Sequence, residues 1–188
     1  MNLNIYPLIR PLFFMLDPEQ AHNLTLRLMR WGCVPRQKKA ASAMLQSELC
    51  GLHFDNPVGL SAGFDKNAEV LGASFGFGFG FVEVGTVTPQ PQEGNPKPRV
   101  FRDPKHGAVI NRMGFPNGGL SVFAHNINRF LASKSAKKRG VIGINIGMNK
   151  TQTEPAQDYK ALVEALAPRA DYLTINISSP NTPGLRKL

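Results

Sequence analysis

The chain has 188 residues, of which 42% are hydrophobic, and its formal net charge at pH 7 is +9. This length is enough for one domain with its own core, and no segment approaches the roughly 20 apolar residues that span a bilayer. Two prolines interrupt the apolar N-terminal run and no small-residue cleavage site follows it, which is not the pattern of a signal peptide. The cysteines, Cys33 and Cys50, form neither a metal-binding spacing nor a disulfide framework, which suits a reducing cytosolic compartment.

The positive charge is concentrated in two parts of the chain. One cluster lies within the first 40 positions and is opposed only by Asp17 and Glu19; the second runs from Arg129 to Arg139. Both clusters fit an ordinary solvated surface, and the N-terminal one also fits an anionic membrane surface. Nucleic acid is not expected as a partner, because no aromatic residues interleave with the charges and no binding motif is present.

The first 45 residues predict a small helical lobe that precedes the main domain. Residues 5–16 form a short, nearly all-apolar segment, after which Asp17 and Pro18 supply an N-cap and a first helical position. The second helix carries an apolar stripe and ends near Gly32. Two interpretations stay open: the helices pack on the main domain, or they form an apolar pocket or a lobe seated on the membrane.

From Leu52 onward the pattern predicts strands that alternate with helices. Short apolar runs occur at 58–63, 81–87, 141–147 and 172–178, and helical stretches occur at 66–75, 118–133 and 156–168. Such alternation is typical of βα units with a parallel sheet. The proline- and glycine-rich segment 88–116, with strand-like pieces at 99–102 and 108–112, predicts a long functional loop.

Polar side chains recur where the predicted strands end. Asn145 and Asn176 occupy like positions on two strands, Thr86 ends another, and Lys66 follows the first. Parallel strands are covered on both faces, so we expect the two asparagines to point into an enclosed space. In a (β/α) barrel, this rim carries the active site.

The residue types at this rim favour a flat, polar ring as the ligand. Asparagine amides, here Asn111, Asn145, Asn176 and Asn181, match the alternating donors and acceptors of a pyrimidine or a flavin. Lys66 adds a positive charge suited to a carboxylate or an electron-rich flavin edge. No acidic pair or His/Cys cluster occurs at the strand ends, and the histidines are expected to lie away from them, so no metal is predicted.

Long motifs in this sequence resemble the dihydroorotate dehydrogenase family, in its membrane-associated, quinone-using class. The matching stretches are "NPVGLSAGFDKN", "GFVEVGTVTPQPQEGNPKPRVFR", "INRMGF", "GINIGMNK" and "ADYLTINISSPNTPGLR". The resemblance implies a TIM (β/α)8 barrel, of which residues 46–188 form the first half. The implied activity is the oxidation of dihydroorotate to orotate in pyrimidine biosynthesis. It also implies FMN as cofactor, a membrane quinone as final acceptor, and peripheral attachment at the cytoplasmic face of the cell membrane through the N-terminal helices.

The resemblance carries the family's site residues onto this chain. It implies FMN contacts from Ala62, Gly63, Phe64, Asp65, Lys66, Thr86, Asn145 and Asn176. It implies substrate contacts from Lys66, Asn111, Arg112, Met113, Gly114, Phe115, Asn176 and Asn181. Ser179 matches the catalytic base, where the soluble classes have cysteine, and it therefore selects the quinone-using class. Serine is intrinsically a poor base, so this role needs help from water, a relay or a polarised substrate.

The sequence presents four βα units, whereas a TIM barrel has eight in about 250 residues. The family's later flavin contacts, including its glycine-rich phosphate site, are therefore not among these 188 residues. We expect this chain, expressed alone, to bind FMN weakly, to associate through open sheet edges and not to turn over. Two alternatives remain at this stage: a related flavin barrel that acts on another dihydropyrimidine, and a half-barrel that serves as an assembly module.

Overall fold

The computed structural model describes residues 6–34 and 43–179. Its N-terminal part is a pair of helices, α1 (Tyr6–Met15) and α2 (Pro18–Arg30). As predicted, Asp17 caps α2: its Oδ1 accepts the backbone N–H of Glu19 at 2.9 Å and that of Gln20 at 3.3 Å. Helix α1 contains Pro11 and has no buried residue. Within the described residues, no helix has the length and apolar character needed to cross a membrane.

The centre of the molecule is a four-stranded parallel sheet. Its strands are β3 (Gly59–Leu60), β4 (Phe81–Val87), β7 (Val141–Ile146) and β8 (Tyr172–Ile175), hydrogen-bonded in that order. Helices α3 (Leu71–Gly76), α4 (Gly119–Leu131) and α5 (Pro155–Leu166) connect successive strands. The predicted parallel α/β architecture is confirmed. Among the described residues the sheet is open, with β3 and β8 at its edges, and does not close into a barrel.

The core lies between one face of this sheet and the connecting helices. Val82 and Val84 of β4 and Ile142, Ile144 and Ile146 of β7 are fully buried there. They pack with side chains of α4 and α5, principally Phe123, Ile127, Leu162 and Leu166. Since side chains alternate along a strand, Glu83, Gly143 and Asn145 face the opposite side.

Two antiparallel hairpins flank the sheet. Strands β5 (Val100–Asp103) and β6 (Ala108–Asn111) pair within the long loop, close to the predicted pieces. Strands β1 (Ser47–Leu49) and β2 (Leu52–Phe54) form a hairpin that was not predicted. Its turn residues, Cys50 and Gly51, have φ of 52° and 75°. Cysteine is not a usual residue for such a turn, so the local sequence carries little signal for it.

Three predicted boundaries differ from the structure. Strand β3, predicted over 58–63, has only two residues, and β8 ends at Ile175 rather than at position 178. The helix predicted over 66–75 begins only at Leu71. The reason is Asp65, whose carboxylate accepts the backbone N–H groups of Glu69 and Val70, both at 2.8 Å, and thereby holds the preceding residues in a loop.

Candidate functional site

A cavity of about 550 Å³ lies at the carboxyl ends of the parallel strands, where the predicted site residues were expected. It is lined by residues from all four strand ends and from the loop after β6: Ser61, Ala62, Gly63, Lys66, Glu83, Thr86, Asn111, Met113, Gly114, Phe115, Pro116, Asn145, Asn176, Ser178 and Ser179. Most of the predicted cofactor, substrate and catalytic residues are therefore brought together in one place.

Three polar side chains form the floor of this cavity. Thr86 Oγ1 donates a hydrogen bond of 2.6 Å to Asn145 Oδ1. The Asn176 amide donates to the same oxygen at 3.2 Å and to Thr86 Oγ1 at 3.3 Å. Tyr159 fixes the backbone here, because its hydroxyl donates to the Asn176 carbonyl at 2.9 Å. Thr86 and Asn145 are buried, so the cluster is pre-formed.

Lys66 places a positive charge at the edge of the cavity. Its ammonium group donates to the carbonyl oxygen of Gly63. Burial lowers the pKa of Lys66, with the Glu19 carboxylate opposing this shift and the Arg99 guanidinium adding to it. The ammonium is therefore partly desolvated, which strengthens its attraction for an anionic ligand group.

Four predicted site residues lie elsewhere or outside the described residues. Phe64 packs edge-on against His22, with ring centroids 5.2 Å apart, and is absent from the cavity wall. Asp65 is 1% exposed and its carboxylate binds backbone N–H groups; burial raises its pKa. The Arg112 guanidinium donates to the Pro98 carbonyl at 2.9 Å. Asn181 is outside the described residues. The ligand roles of these four stay predictions.

The loop after β6 is held in place by a residue that the sequence analysis did not single out. Gln92 Nε2 donates to the Gly114 carbonyl at 3.0 Å, and Gln92 Oε1 accepts the Lys150 N–H at 2.8 Å. Gly114 and Phe115 have φ of 70° and 54°, so the backbone turns sharply there. Gln92 thereby ties the predicted substrate loop to the loop after β7.

Ser178 and Ser179, in the segment after β8, complete the wall of the cavity. The backbone N–H of Ser178 donates to Asn176 Oδ1 at 3.4 Å. Ser179 lines the same cavity as Asn145, Asn176 and Lys66, and its role as a base stays a prediction.

A second cavity, of about 240 Å³, separates α2 from the site. It shares Lys66, Met113 and Pro116 with the first cavity and is also lined by His22, Phe64 and Arg99, among others. As expected, His22 is not in the wall of the first cavity at the strand ends, but it lies beside Phe64 and Lys66 in the neighbouring second cavity. Burial lowers the pKa of His22, and the charge of Lys66 lowers it further.

An ion pair closes one side of this second cavity. The Arg99 guanidinium donates to Glu19 at 2.6 Å and 3.0 Å, and the two side chains are only 7% and 12% exposed. Arg99 also donates to the backbone carbonyls of Glu93 and Asn95. The lobe formed by α1 and α2 is thus fastened to the long loop beside the site.

Fold and site together define a class: a parallel α/β protein with an amide-lined ligand site at the carboxyl ends of its strands. The chain belongs to the dihydroorotate dehydrogenase family, whose family model matches residues 44–188. The resemblance seen in the sequence motifs is therefore confirmed.

Similar proteins bear the same family name. A dihydroorotate dehydrogenase (quinone) of Parvibaculum lavamentivorans is 52% identical over 186 residues, which is 99% of this chain and 52% of the relative. That of Rhodospirillum rubrum is 54% identical over 183 residues, covering 97% of this chain and 48% of the relative. A crystal structure of Eimeria tenella DHODH in complex with ferulenol superimposes with a TM-score of 0.87 at 45% identity, covering 92% of this chain and 46% of that one. The chain thus spans about half the length of the curated relatives it matches.

Proposed function

We propose that this chain forms part of a quinone-dependent dihydroorotate dehydrogenase, which oxidises dihydroorotate to orotate in pyrimidine biosynthesis. The observation that carries the proposal is the 550 Å³ cavity, in which Lys66, Thr86, Asn145, Asn176 and Ser179 meet. The name of these relatives, dihydroorotate dehydrogenase (quinone), supports the same activity. In this proposal the open sheet corresponds to the first four βα units of a (β/α)8 barrel.

The donor set of the cavity fits FMN. A flavin ring has an edge of alternating hydrogen-bond donors and acceptors, and the cavity offers amides, a hydroxyl and an ammonium group in close proximity. Ala62 and Gly63 lie at the wall, and a Cβ added at Gly63 would meet no atom within 4 Å, so the backbone there is open to a flat ligand. Thr86, Asn145, Asn176 and Lys66 would hold the ring. When bound, FMN supplies a two-electron acceptor for hydride.

The catalytic step in this proposal is the removal of two hydrogens from the substrate ring. A proton leaves C5, a hydride leaves C6, and a C5–C6 double bond forms. Ser179 Oγ accepts the C5 proton as its own hydroxyl proton passes to water or a proton relay, while Asn111 and Asn176 orient the ring through its polar edge. Lys66 attracts the negative charge of the substrate carboxylate or of the flavin edge. Proximity within one cavity compensates in part for the weak basicity of serine.

We further propose that the N-terminal lobe brings the quinone to the site from the membrane surface. The second cavity leads from α2 to Lys66, and α1 exposes Leu8, Leu12 and Met15 on its surface. An apolar helix beside cationic residues is suited to lie in an anionic bilayer interface without spanning it. Attachment at the cytoplasmic face of the cell membrane is part of this proposal.

We propose separately that the 188-residue chain, expressed alone, associates through the open edges of its parallel sheet. Strands β3 and β8 have unpaired edges among the described residues. An apolar groove of about 420 Å³ lies between the β1–β2 hairpin and the amino ends of β4 and β8, lined in part by Leu49, Leu52, Phe54 and Phe81. Such surfaces favour association. We expect this chain alone to form species larger than a monomer and to form no orotate; sedimentation and an orotate assay measure both.

A flavin-reduction assay with two matched substrates tests the proposed activity. Dihydroorotate and dihydrouracil share the ring but differ in the carboxylate, so we expect only dihydroorotate to bleach the flavin of the flavin-loaded enzyme. A long-chain quinone should then restore the flavin absorbance. Bleaching by dihydrouracil with no response to dihydroorotate would overturn the proposal in favour of a related dihydropyrimidine enzyme.

A further inference from the structure

Glu83 is a carboxylate in the interior of the sheet, and nothing in the proposed chemistry uses it. It lies on β4 between Val82 and Val84, which are buried in the core, so its side chain projects from the opposite face. It forms part of the wall of the 550 Å³ cavity. A carboxylate in such a place is costly unless donors surround it.

Three side chains from β7 and β8 donate hydrogen bonds to the Glu83 carboxylate. Asn145 Nδ2 donates to Glu83 Oε1 at 2.8 Å, and the hydroxyls of Tyr172 and Thr174 donate to Oε2 at 3.0 Å and 3.2 Å. Gly143 leaves room for the Tyr172 ring, because a Cβ at that position would lie 2.2 Å from the nearest ring atom. Burial, followed by the charge of Glu83, raises the pKa of the Tyr172 phenol, so that it remains a donor.

The carboxylate decides which way the Asn145 amide points. An ionised carboxylate only accepts hydrogen bonds, so it must face the NH₂ group of Asn145 and not its oxygen. Asn145 Oδ1 is consequently turned toward Thr86 and Asn176, and it accepts from both. That arrangement uses donors of Thr86 and Asn176. The Asn176 amide oxygen, which accepts the Ser178 N–H at 3.4 Å, keeps one further lone pair for a ligand in the cavity.

We propose that Glu83 is a positioning residue that sets the donor–acceptor polarity of the Thr86–Asn145–Asn176 cluster, and through it the affinity of the site for FMN. This inference rests on the proposed function, because it takes the cluster to be the flavin-binding surface. Glu83 acts through Asn145. If the carboxylate were replaced by a group that both donates and accepts, the Asn145 side-chain amide would be free to flip by about 180° and exchange its oxygen and NH₂ positions.

A double-mutant cycle in the flavin-loaded enzyme tests the proposal. Glu83→Gln keeps the shape of the side chain but removes the obligatory acceptor, and we expect it to weaken FMN binding about tenfold, measured by flavin fluorescence. In an Asn145→Ala background the same substitution should change FMN affinity by less than about twofold. An equal loss in both backgrounds, or no loss in either, would overturn the proposal, since a general structural role does not depend on Asn145.

A flavin-free measurement separates this inference from the proposed function. In ¹H–¹⁵N spectra the side-chain amide of Asn145, assigned by its absence in Asn145→Ala, should shift in Glu83→Gln. An unchanged amide contradicts the positioning role whether or not flavin binds. A shifted amide in a protein whose wild type binds no FMN refutes the flavin assignment and leaves the positioning role standing.

Two further variants serve as a control and as a replacement for Glu83→Gln. Tyr172→Phe removes one donor but leaves the bond between Glu83 and Asn145, and it should keep the Asn145 amide resonance in place. If Glu83→Gln does not fold, Glu83→Asp withdraws the carboxylate by one methylene and should shift the amide and weaken FMN binding in the same direction. Wild-type behaviour of Glu83→Asp in both measurements would count against the proposal.

Discussion

The lobe of α1 and α2 and the parallel sheet use the same apolar residue types in opposite ways. All six residues of β7 are buried, whereas α1 has no buried residue, and its Leu8 and Met15 are 76% and 82% exposed. The isoleucines of β7 meet side chains of α4 and α5, whereas no residue of α1 belongs to this core cluster. The comparison teaches that an apolar sequence becomes core only where the fold supplies a partner.

The two regions are also held together by different forces. The sheet is stabilised by burial of aliphatic side chains. The lobe contacts the long loop through polar groups: Arg99 binds Glu19, and Arg102 donates to the backbone carbonyls of Leu16 and Phe13 at 2.9 Å and 3.3 Å. Only two residues of α2, Ala21 and Met29, have buried apolar side chains. We therefore expect that the lobe can be removed without unfolding the sheet or its cavity, whereas removal of any strand of the sheet would disrupt both.

Deleting residues 1–45 from the flavin-loaded enzyme should have the largest effect and should be selective. We expect reduction of a long-chain quinone to be lost, because both the apolar helix surface and one wall of the second cavity are removed. Flavin reduction by dihydroorotate should continue, since none of the deleted residues that the structure describes (6–34 and 43–45) lines the first cavity. Assays with a long-chain quinone and with a water-soluble acceptor measure the two effects; unchanged long-chain activity would refute the quinone role of the lobe.

Ser179→Ala should slow flavin reduction by about 10²–10⁴-fold, the usual cost of losing a general base. FMN should remain bound, because the flavin contacts are assigned to other residues. Stopped-flow bleaching at the wild-type rate would contradict the assignment. Ser178→Ala, one position earlier on the same wall, is the matched comparison and should have a far smaller effect.

Lys66→Ala should weaken FMN retention or raise the KM for dihydroorotate, in either case by about tenfold, through loss of one partly desolvated charge contact. Flavin content after gel filtration and steady-state kinetics measure the two alternatives. Lys150→Ala removes an exposed lysine outside the cavity wall and is the control. Wild-type values in both measurements for Lys66→Ala would count against its role.

Glu19→Gln should destabilise the docking of the lobe by about 2 kcal/mol, because it leaves a buried guanidinium without its carboxylate. The Arg99 hydrogen bond holds the pKa of Glu19 below its ordinary value of 4.5. The ion pair therefore contributes fully above pH 4.5, and its contribution is lost as the pH falls through the lowered native pKa. Hydrogen exchange of α2 amides as a function of pH measures this effect.

The control for this prediction is an ion pair on the surface. Lys160 and Glu164 lie 3.9 Å apart on α5, with side chains 77% and 67% exposed. Glu164→Gln should change stability by less than about 0.5 kcal/mol. Equal effects of the two substitutions would show that the lobe does not depend on the Glu19–Arg99 pair.

The sequence by itself determined the parallel α/β order, the cap of α2 and most of the residues that meet in the first cavity. These features follow from local signals: the alternation in β4 and β7, the Asp17–Pro18 pair, and polar groups that follow apolar strands. Parallel strands bring their carboxyl ends to one edge of the sheet, so Thr86, Asn145 and Asn176 converge whatever the details of packing.

Only the tertiary structure decided the partners of these groups. Glu83 stands out in an apolar strand, yet its three donors are 62, 89 and 91 residues away in sequence, and no local pattern names them. The same is true of Arg99 and Glu19, 80 residues apart, and of His22 beside Lys66. Hydrogen bonds and ion pairs depend on distances of about 3 Å, which are fixed when separate elements pack and not by the residues next to each in the chain.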